Sequence, residues 1–183
     1  MNRYLLIACL ICLPFWLHAQ HQSVDSPHRA VYFEIGGSGL IYTFNYDVRF
    51  DPTRLDSWGI KVGAGGYWIN DRGFFSVPLE VNRLFGNGPH YFEMGAGITF
   101  LAFRSNRYLW TCDESGCTSS LQHDRTEIVL PINGSPNAMG TLNFGYRRIP
   151  IGGGMSWKIN LTPLYNQNGF WPLFAGAGIG YVF

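Results

Sequence analysis

Eight charged residues lie within segments where large apolar residues alternate with small or polar ones. The four acids are Glu34, Asp47, Glu80 and Glu93, and the four bases are Arg49, Lys61, Arg147 and Lys158. Side chains alternate between the two faces of a strand, so all eight are predicted to point away from the large apolar residues. Because an unpaired charge away from water is costly, equal numbers of opposite charges predict an ion-paired network. We interpret this network as a polar core, with a gated ion path or a proton-handling site as the alternative.

The residue types that usually bind metals or phosphate are scattered. The histidines that follow residue 19 are His21, His28, His90 and His123, and their spacing fits no metal site. The glycine-rich stretch 176–180 is not followed by a helix, which a phosphate-binding loop would need. We therefore expect no metal and no cofactor.

The N-terminus has the features of an export signal. Arg3 gives a positive start, residues 4–17 form an apolar run, and Ala19 is a small residue at the expected cleavage point. We predict a signal peptide over 1–19 and a polar periplasmic lead over 20–29. The run is too short to span a bilayer as a helix, which needs about 20 apolar residues.

Cysteine content and charge narrow the functional classes further. Cys9 is a possible lipid-attachment site, but the apolar run continues well past it, so Cys9 is expected to leave with the signal peptide. In an exported and therefore oxidising setting, Cys112 and Cys117 are expected to form a local disulfide. The chain has 13 Lys+Arg and 12 Asp+Glu, and removal of Arg3 leaves 12 of each. A neutral mature chain gives no indication of a nucleic-acid partner.

Alternation with a period of two runs through most of residues 30–183, and no stretch has a convincing helical period. Turn residues divide this region into eight predicted strands: 31–36, 40–50, 58–68, 75–85, 91–103, 139–148, 155–165 and 171–183. Eight strands of about ten residues fit the smallest membrane barrels. The predicted fold class is all-β, an eight-stranded antiparallel up-and-down transmembrane β-barrel. Its long external loop covers residues 104–138.

The apolar face of these strands is predicted to meet lipid. An eight-stranded barrel is only just wide enough inside to be filled by side chains, and the large apolar residues are too many to fit there. The opposite face carries glycine, serine, threonine, asparagine and the eight charges. Glu80 and Glu93 fall on neighbouring strands, as Arg147 and Lys158 do, so each pair is expected to find partners across the barrel.

The last predicted strand shows both faces clearly. Gly176, Gly178 and Gly180 make room inside, while Tyr181 and Phe183 point outward. The pattern of Gly178, Tyr181 and Phe183 resembles the insertion signal of outer-membrane proteins.

Four further stretches resemble small outer-membrane barrel proteins of Bacteroidetes-type Gram-negative bacteria. They are VPLEVNRLFG over 77–86, HYFEMGAG over 90–97, GYRR over 145–148 and LTPL over 161–164. The architecture is also similar to that of OmpA-type and OmpX-type barrels, without a shared motif. The resemblance implies an outer-membrane location, with outer-membrane lipid and the outer-membrane assembly machinery as partners.

These observations predict a non-enzymatic outer-membrane barrel with a structural role in the envelope and a plugged, ion-paired interior. One alternative is binding or adhesion through loop 104–138, which carries basic and aromatic residues. A narrow channel is a second alternative. A lipid-A-modifying enzyme is a third, for which Ser119-Ser120 and His123-Asp124 in the same loop are weak candidates.

Overall fold

The computed structural model describes residues 27–69, 72–104, 106–113, 116–123, 125–126 and 130–183. The predicted signal peptide over 1–19, and the lead up to residue 26, lie outside these residues. The part described consists of strands, one short 3-10 turn and connections. Among its residues, no helix is long and apolar enough to cross a membrane.

The strands of the described residues are numbered β1 to β14 in chain order. They are β1 Arg29–Gly36, β2 Tyr42–Arg49, β3 Trp58–Ile69, β4 Arg72–Asn87, β5 His90–Arg104, β6 Asn106–Asp113, β7 Gly116–His123, β8 Arg125–Thr126, β9 Ile132–Asn133, β10 Asn137–Arg148, β11 Gly154–Leu161, β12 Leu164–Asn166, β13 Gly169–Trp171 and β14 Ala175–Val182.

Eight of these strands close a barrel in which every neighbouring pair is antiparallel. The order around the ring is β1, β2, β3, β4, β5, β10, β11 and β14, and β14 pairs with β1 to complete it. The prediction of an all-β, eight-stranded antiparallel barrel is confirmed. We call the end with the β1–β2, β3–β4 and β5–β10 connections the hairpin end, and the opposite end the turn end.

Prolines interrupt the last two barrel strands, which were each predicted to be continuous. β11 stops before Pro163, which has no N–H to donate, although its carbonyl still accepts a hydrogen bond from the Leu142 N–H at 2.9 Å. The chain continues as β12 in the same register against β10. The final strand is likewise divided, because β13 ends before Pro172 and β14 starts only at Ala175.

The connection between β5 and β10, to which no strand was assigned, contains two small sheets. β6 pairs with β7, and β8 pairs with β9. Cys112 lies directly opposite Cys117 on β6 and β7, and a disulfide joins them as predicted. All side chains of 110–113 and 116–119 are exposed, so neither face of this part of the hairpin is buried. Hydrophobicity alternates with a period of two only when one face of a strand is buried, so the sequence pattern could not reveal these strands.

The barrel wall is apolar on the outside and polar on the inside. Large outward side chains such as Phe44, Phe100 and Ile179 are more than half exposed, at 65%, 52% and 53%. The inward rows hold buried polar and charged residues, among them Thr43, Asn45, Ser76, Asn82, Thr99, Asn143, Asn160 and Thr162. This distribution is the reverse of that in a water-soluble barrel, where the polar face meets the solvent.

Candidate functional site: the charged interior

The barrel interior has a charged layer between two apolar clusters. The hairpin-end cluster consists of Leu40, Phe74, Leu101, Phe103, Leu130, Ile132, Met139 and Leu164. The turn-end cluster consists of Ala30, Tyr32, Leu84, Tyr91, Ile149 and Val182. The residues of both clusters are buried, so the charged layer is covered at each end of the barrel.

The eight charged side chains are all buried inside the barrel and form one alternating chain of ion pairs. The order along this chain is Glu80, Lys61, Glu34, Lys158, Glu93, Arg147, Asp47 and Arg49. The nitrogen-to-oxygen distances between successive members, from Glu80 to Asp47, are 2.8, 3.7, 2.8, 3.9, 3.4 and 2.8 Å, and Asp47 also pairs with Arg49. Each internal member of the chain therefore lies between two opposite charges.

Strand register explains part of this arrangement. Lys61 on β3 lies directly opposite Glu80 on β4, so this acid pairs with the adjacent strand. The expectation that Glu80 would need a partner from across the barrel is wrong for this reason. Arg147 on β10 does reach across the interior, to Asp47 on β2.

Asparagine side chains donate additional hydrogen bonds to the carboxylates. The Asn143 amide donates to Glu80 at 2.8 Å and to Glu93 at 3.1 Å, and so joins two neighbouring acids. The Asn82 amide donates to Asp47 at 3.2 Å, and the Asn160 amide donates to Glu34 at 3.2 Å. All four acids therefore accept a neutral hydrogen bond in addition to their ion pairs, which satisfies more of their lone pairs.

Tyr32 connects the charged layer to the turn-end cluster. Its hydroxyl accepts a hydrogen bond from the Arg147 guanidinium, and its ring lies 4.4 Å from Arg147 Cζ and 5.7 Å from Lys158 Nζ. The two cations thus contact the ring as well as the carboxylates. Tyr32 was not among the predicted interior residues, although its even number places it on the inward face of β1, opposite to Val31 and Phe33.

The connection between β1 and β2 folds into the barrel instead of projecting from it. Gly37, Ser38 and Gly39 form a buried 3-10 turn. The Thr99 hydroxyl donates to the Ser38 carbonyl at 2.7 Å, and the Ser76 hydroxyl donates to the Gly39 carbonyl at 2.9 Å. Lys61 Nζ lies 3.3 Å from the Ser38 hydroxyl. The turn therefore covers the charged layer on the side of the hairpin end.

Leu40 holds this turn in place at the expense of backbone strain. It has φ 72 and ψ -61, and the Ile41 N–H donates to the Gly39 carbonyl at 3.0 Å, which makes a strained γ-turn centred on Leu40. The Leu40 side chain is buried in the hairpin-end cluster. The predicted second strand starts two residues too early for this reason, since Leu40 and Ile41 leave the β conformation to enter the barrel mouth.

The strain at Leu40 predicts that a glycine variant at this position is more stable than an alanine variant, the reverse of the usual order. Leu40→Ala is expected to lower the free energy of unfolding by about 2–5 kcal/mol through lost packing. Leu40→Gly loses the same side chain but adopts positive φ freely, and should be about 1 kcal/mol more stable than Leu40→Ala. Urea unfolding of the purified barrel, followed by tryptophan fluorescence, measures both.

Leu84 provides the matched control, because it is equally buried and lies within β4. There alanine should be more stable than glycine by about 0.5–1 kcal/mol. The same order of alanine and glycine at both positions would contradict the role assigned to Leu40.

No family model and no curated protein matches the sequence. Among solved structures, the chain is similar to the N-terminal β-barrel domain of Pseudomonas aeruginosa OprF, with 15% sequence identity and a TM-score of 0.49. The similarity covers 87% of this chain and 98% of that domain. A structural similarity at this level gives no information on the activity or partners of this chain.

The other candidate metal-binding and catalytic residues within the described part of the chain are not gathered in one site. The described residues contain no group of three His, Cys, Asp or Glu side chains that could hold a metal. His90 Nδ1 lies 2.6 Å from the Tyr146 hydroxyl at an exposed site. His123 and Ser119 lie on β7, His123 opposite Asn106 and Ser119 opposite Trp110, whereas Asp124 lies outside the described residues.

The closing strand has the two faces expected of it. Gly178 lies between Glu34 on β1 and Lys158 on β11, where two interior charges meet. Tyr181 and Phe183 are exposed on the outside, at 51% each. The role of these three residues in insertion stays a prediction.

Proposed function

We propose that this protein is an integral outer-membrane β-barrel with a structural role in the envelope and a closed interior. The observation that carries this proposal is the closed ring of strands with an apolar outer wall and a charged inner layer. Only closed barrels and helices satisfy every backbone hydrogen bond inside a bilayer. The predicted signal peptide over 1–19 agrees with export to that membrane. Outer-membrane lipid and the assembly machinery are the partners that this role requires.

The lengths of the connections support one orientation. The β4–β5 and β10–β11 connections at the turn end are short, whereas the β5–β10 connection at the hairpin end carries β6 to β9. Small outer-membrane barrels have short periplasmic turns and longer external loops. We therefore assign the hairpin end to the outside and the turn end to the periplasm.

A closed interior is favoured by the way the charges are balanced and covered. Four acids and four bases neutralise one another within the ion-pair chain, and an apolar cluster lies at each end. The inward β1–β2 turn adds a further obstruction. An open channel would instead need a continuous path lined by solvated groups.

Planar-bilayer recording tests this function. Full-length mature protein is reconstituted, and insertion is checked by the resistance of the barrel strands to added protease. We expect inserted protein without a stable, large conductance. Such a conductance would contradict the closed interior, and complete digestion of the strands would contradict the membrane assignment.

The β6–β7 hairpin favours binding as a second candidate function. Trp110 is 70% exposed beside the Cys112–Cys117 disulfide, so an aromatic side chain lies on a cross-linked hairpin. Aromatic side chains contribute strongly to contacts with proteins and sugars. A screen against glycans and host proteins should find a ligand that is bound by the intact barrel and by a Trp110→Tyr variant, but lost when residues 106–123 are deleted. Equal binding by the deleted barrel would reject this candidate.

A further inference from the structure

Arg83 occupies an unusual position on the outer wall of the barrel. It lies in the row of β4 that also presents Val81 and Phe85, whereas Glu80, Asn82 and Leu84 point inward. The other charged residues in the outward rows of the described barrel strands lie at strand ends, as Arg29, Arg104 and Arg148 do. Arg83 is four residues from the end of β4 and is flanked by apolar neighbours on its own strand.

Aromatic rings hold the Arg83 guanidinium against the wall. Its Cζ lies 5.0 Å from the centre of the Phe85 ring and 5.8 Å from that of Trp58, which is directly opposite on β3. Both rings are exposed on the outside of the barrel. Arginine stacked in this way keeps the edge of its planar group free to bind an anion.

The hydrogen-bonding capacity of Arg83 is incompletely used within the described part of the chain. Its Nε is buried and has no hydrogen-bond partner, and Arg83 takes part in none of the ion pairs among the described residues. Asp56 in the β2–β3 turn is an acid whose charge interacts with that of Arg83. Its two carboxylate oxygens accept hydrogen bonds from Arg54 at 2.8 and 3.1 Å, which lowers the Asp56 pKa, with a smaller contribution from the charge of Arg83.

The depth of Arg83 in the barrel suggests which anion it meets. Trp58 is the first residue of β3, and Leu84, next to Arg83, packs in the turn-end cluster. In the proposed orientation, this places the guanidinium at the periplasmic boundary of the bilayer. Tryptophan is enriched at that depth, and arginine there extends toward the lipid head groups.

We propose that Arg83, with Trp58 and Phe85, binds the phosphate of a phospholipid in the periplasmic leaflet. The N–H groups of the two terminal nitrogens, Nη1 and Nη2, match two phosphate oxygens, since Nε is buried, while the rings contact the glycerol and the first part of the acyl chains. The site would attach the barrel to the leaflet at a fixed depth and orientation. This inference rests on the proposed membrane location.

Solid-state NMR of the full mature barrel in phospholipid vesicles tests the site directly. Arginine is labelled with ¹³C at Cζ, and its dipolar coupling to lipid ³¹P is measured. We expect a strongly coupled component that disappears in Arg83→Gln and persists in Arg54→Gln, because Arg54 is already paired with Asp56. Arg83→Lys should retain the positive charge but lose the paired N–H contact, which a reduced lipid selectivity in native mass spectrometry would detect.

The outcomes separate this site from the proposed function. Protein that does not insert into the vesicles would contradict the membrane assignment itself. Inserted protein without the coupled component, or with one that survives Arg83→Gln, would overturn only the Arg83 site. An equal component in a phosphorus-free detergent with inorganic phosphate would show a general anion site and would also overturn the assignment to a phospholipid.

Discussion

Replacing Lys61 by methionine is expected to lower the free energy of unfolding by about 3–5 kcal/mol. Lys61 is buried and is the cation that pairs with Glu80 at 2.8 Å, and it also lies 3.7 Å from Glu34. Methionine fills a similar volume without a charge, so the substitution leaves Glu80 without its ion pair inside the barrel. Urea unfolding of the purified protein, followed by tryptophan fluorescence, gives the change directly.

A second substitution separates loss of the pair from loss of packing. Glu80→Gln added to Lys61→Met removes both charges of the 2.8 Å pair, and the double variant should recover much of the lost stability. Arg54→Met is the control for an ion pair in water, because Arg54 and Asp56 are both exposed. Its effect on stability should be small, because an exposed ion pair is screened by water and salt. A Lys61→Met variant as stable as Arg54→Met would show that the ion-pair chain does not support the fold.

Gly180→Ala is expected to disturb barrel assembly more than any other alanine substitution in β14. A methyl group at this position would collide with the carbonyl oxygen of Val31 and with the ring of Tyr32. The carbonyl belongs to the neighbouring strand and cannot move without breaking the register, so overpacking of about 1–3 kcal/mol or more follows. At Gly178 the nearest atom is the Phe33 carbonyl oxygen at 3.2 Å, and alanine there should cost less.

Ala177→Leu is the matched control on the same strand, because Ala177 is exposed on the apolar outer wall. The fraction of protein that migrates as a folded barrel on unheated gels should be near that of wild type for Ala177→Leu, lower for Gly178→Ala and lowest for Gly180→Ala. If Ala177→Leu were as harmful as Gly180→Ala, the assignment of inner and outer faces in β14 would be incorrect.

Sequence periodicity was sufficient to place each charge on the correct side of the wall. Glu34, Lys61 and Lys158 occur at positions whose neighbours are large and apolar, and a strand leaves only one face for them. The same rule places Tyr32 inside, but its contact with Arg147 depends on the closed barrel. Periodicity failed in the β6–β7 hairpin, where the side chains of 110–113 and 116–119 are exposed on both faces and leave no alternation to detect.

The sequence by itself determined the number of barrel strands, the two faces of the wall and the equal count of buried acids and bases, because each follows from local alternation. The order of the ion-pair chain depends on which strands face each other across the interior, and only the closed barrel defines that. The same holds for the inward β1–β2 turn, whose strained Leu40 is stable only because distant strands provide the hairpin-end cluster. Contacts between residues far apart in the chain form only when the barrel closes, and the alternation of residue types along one strand does not predict them.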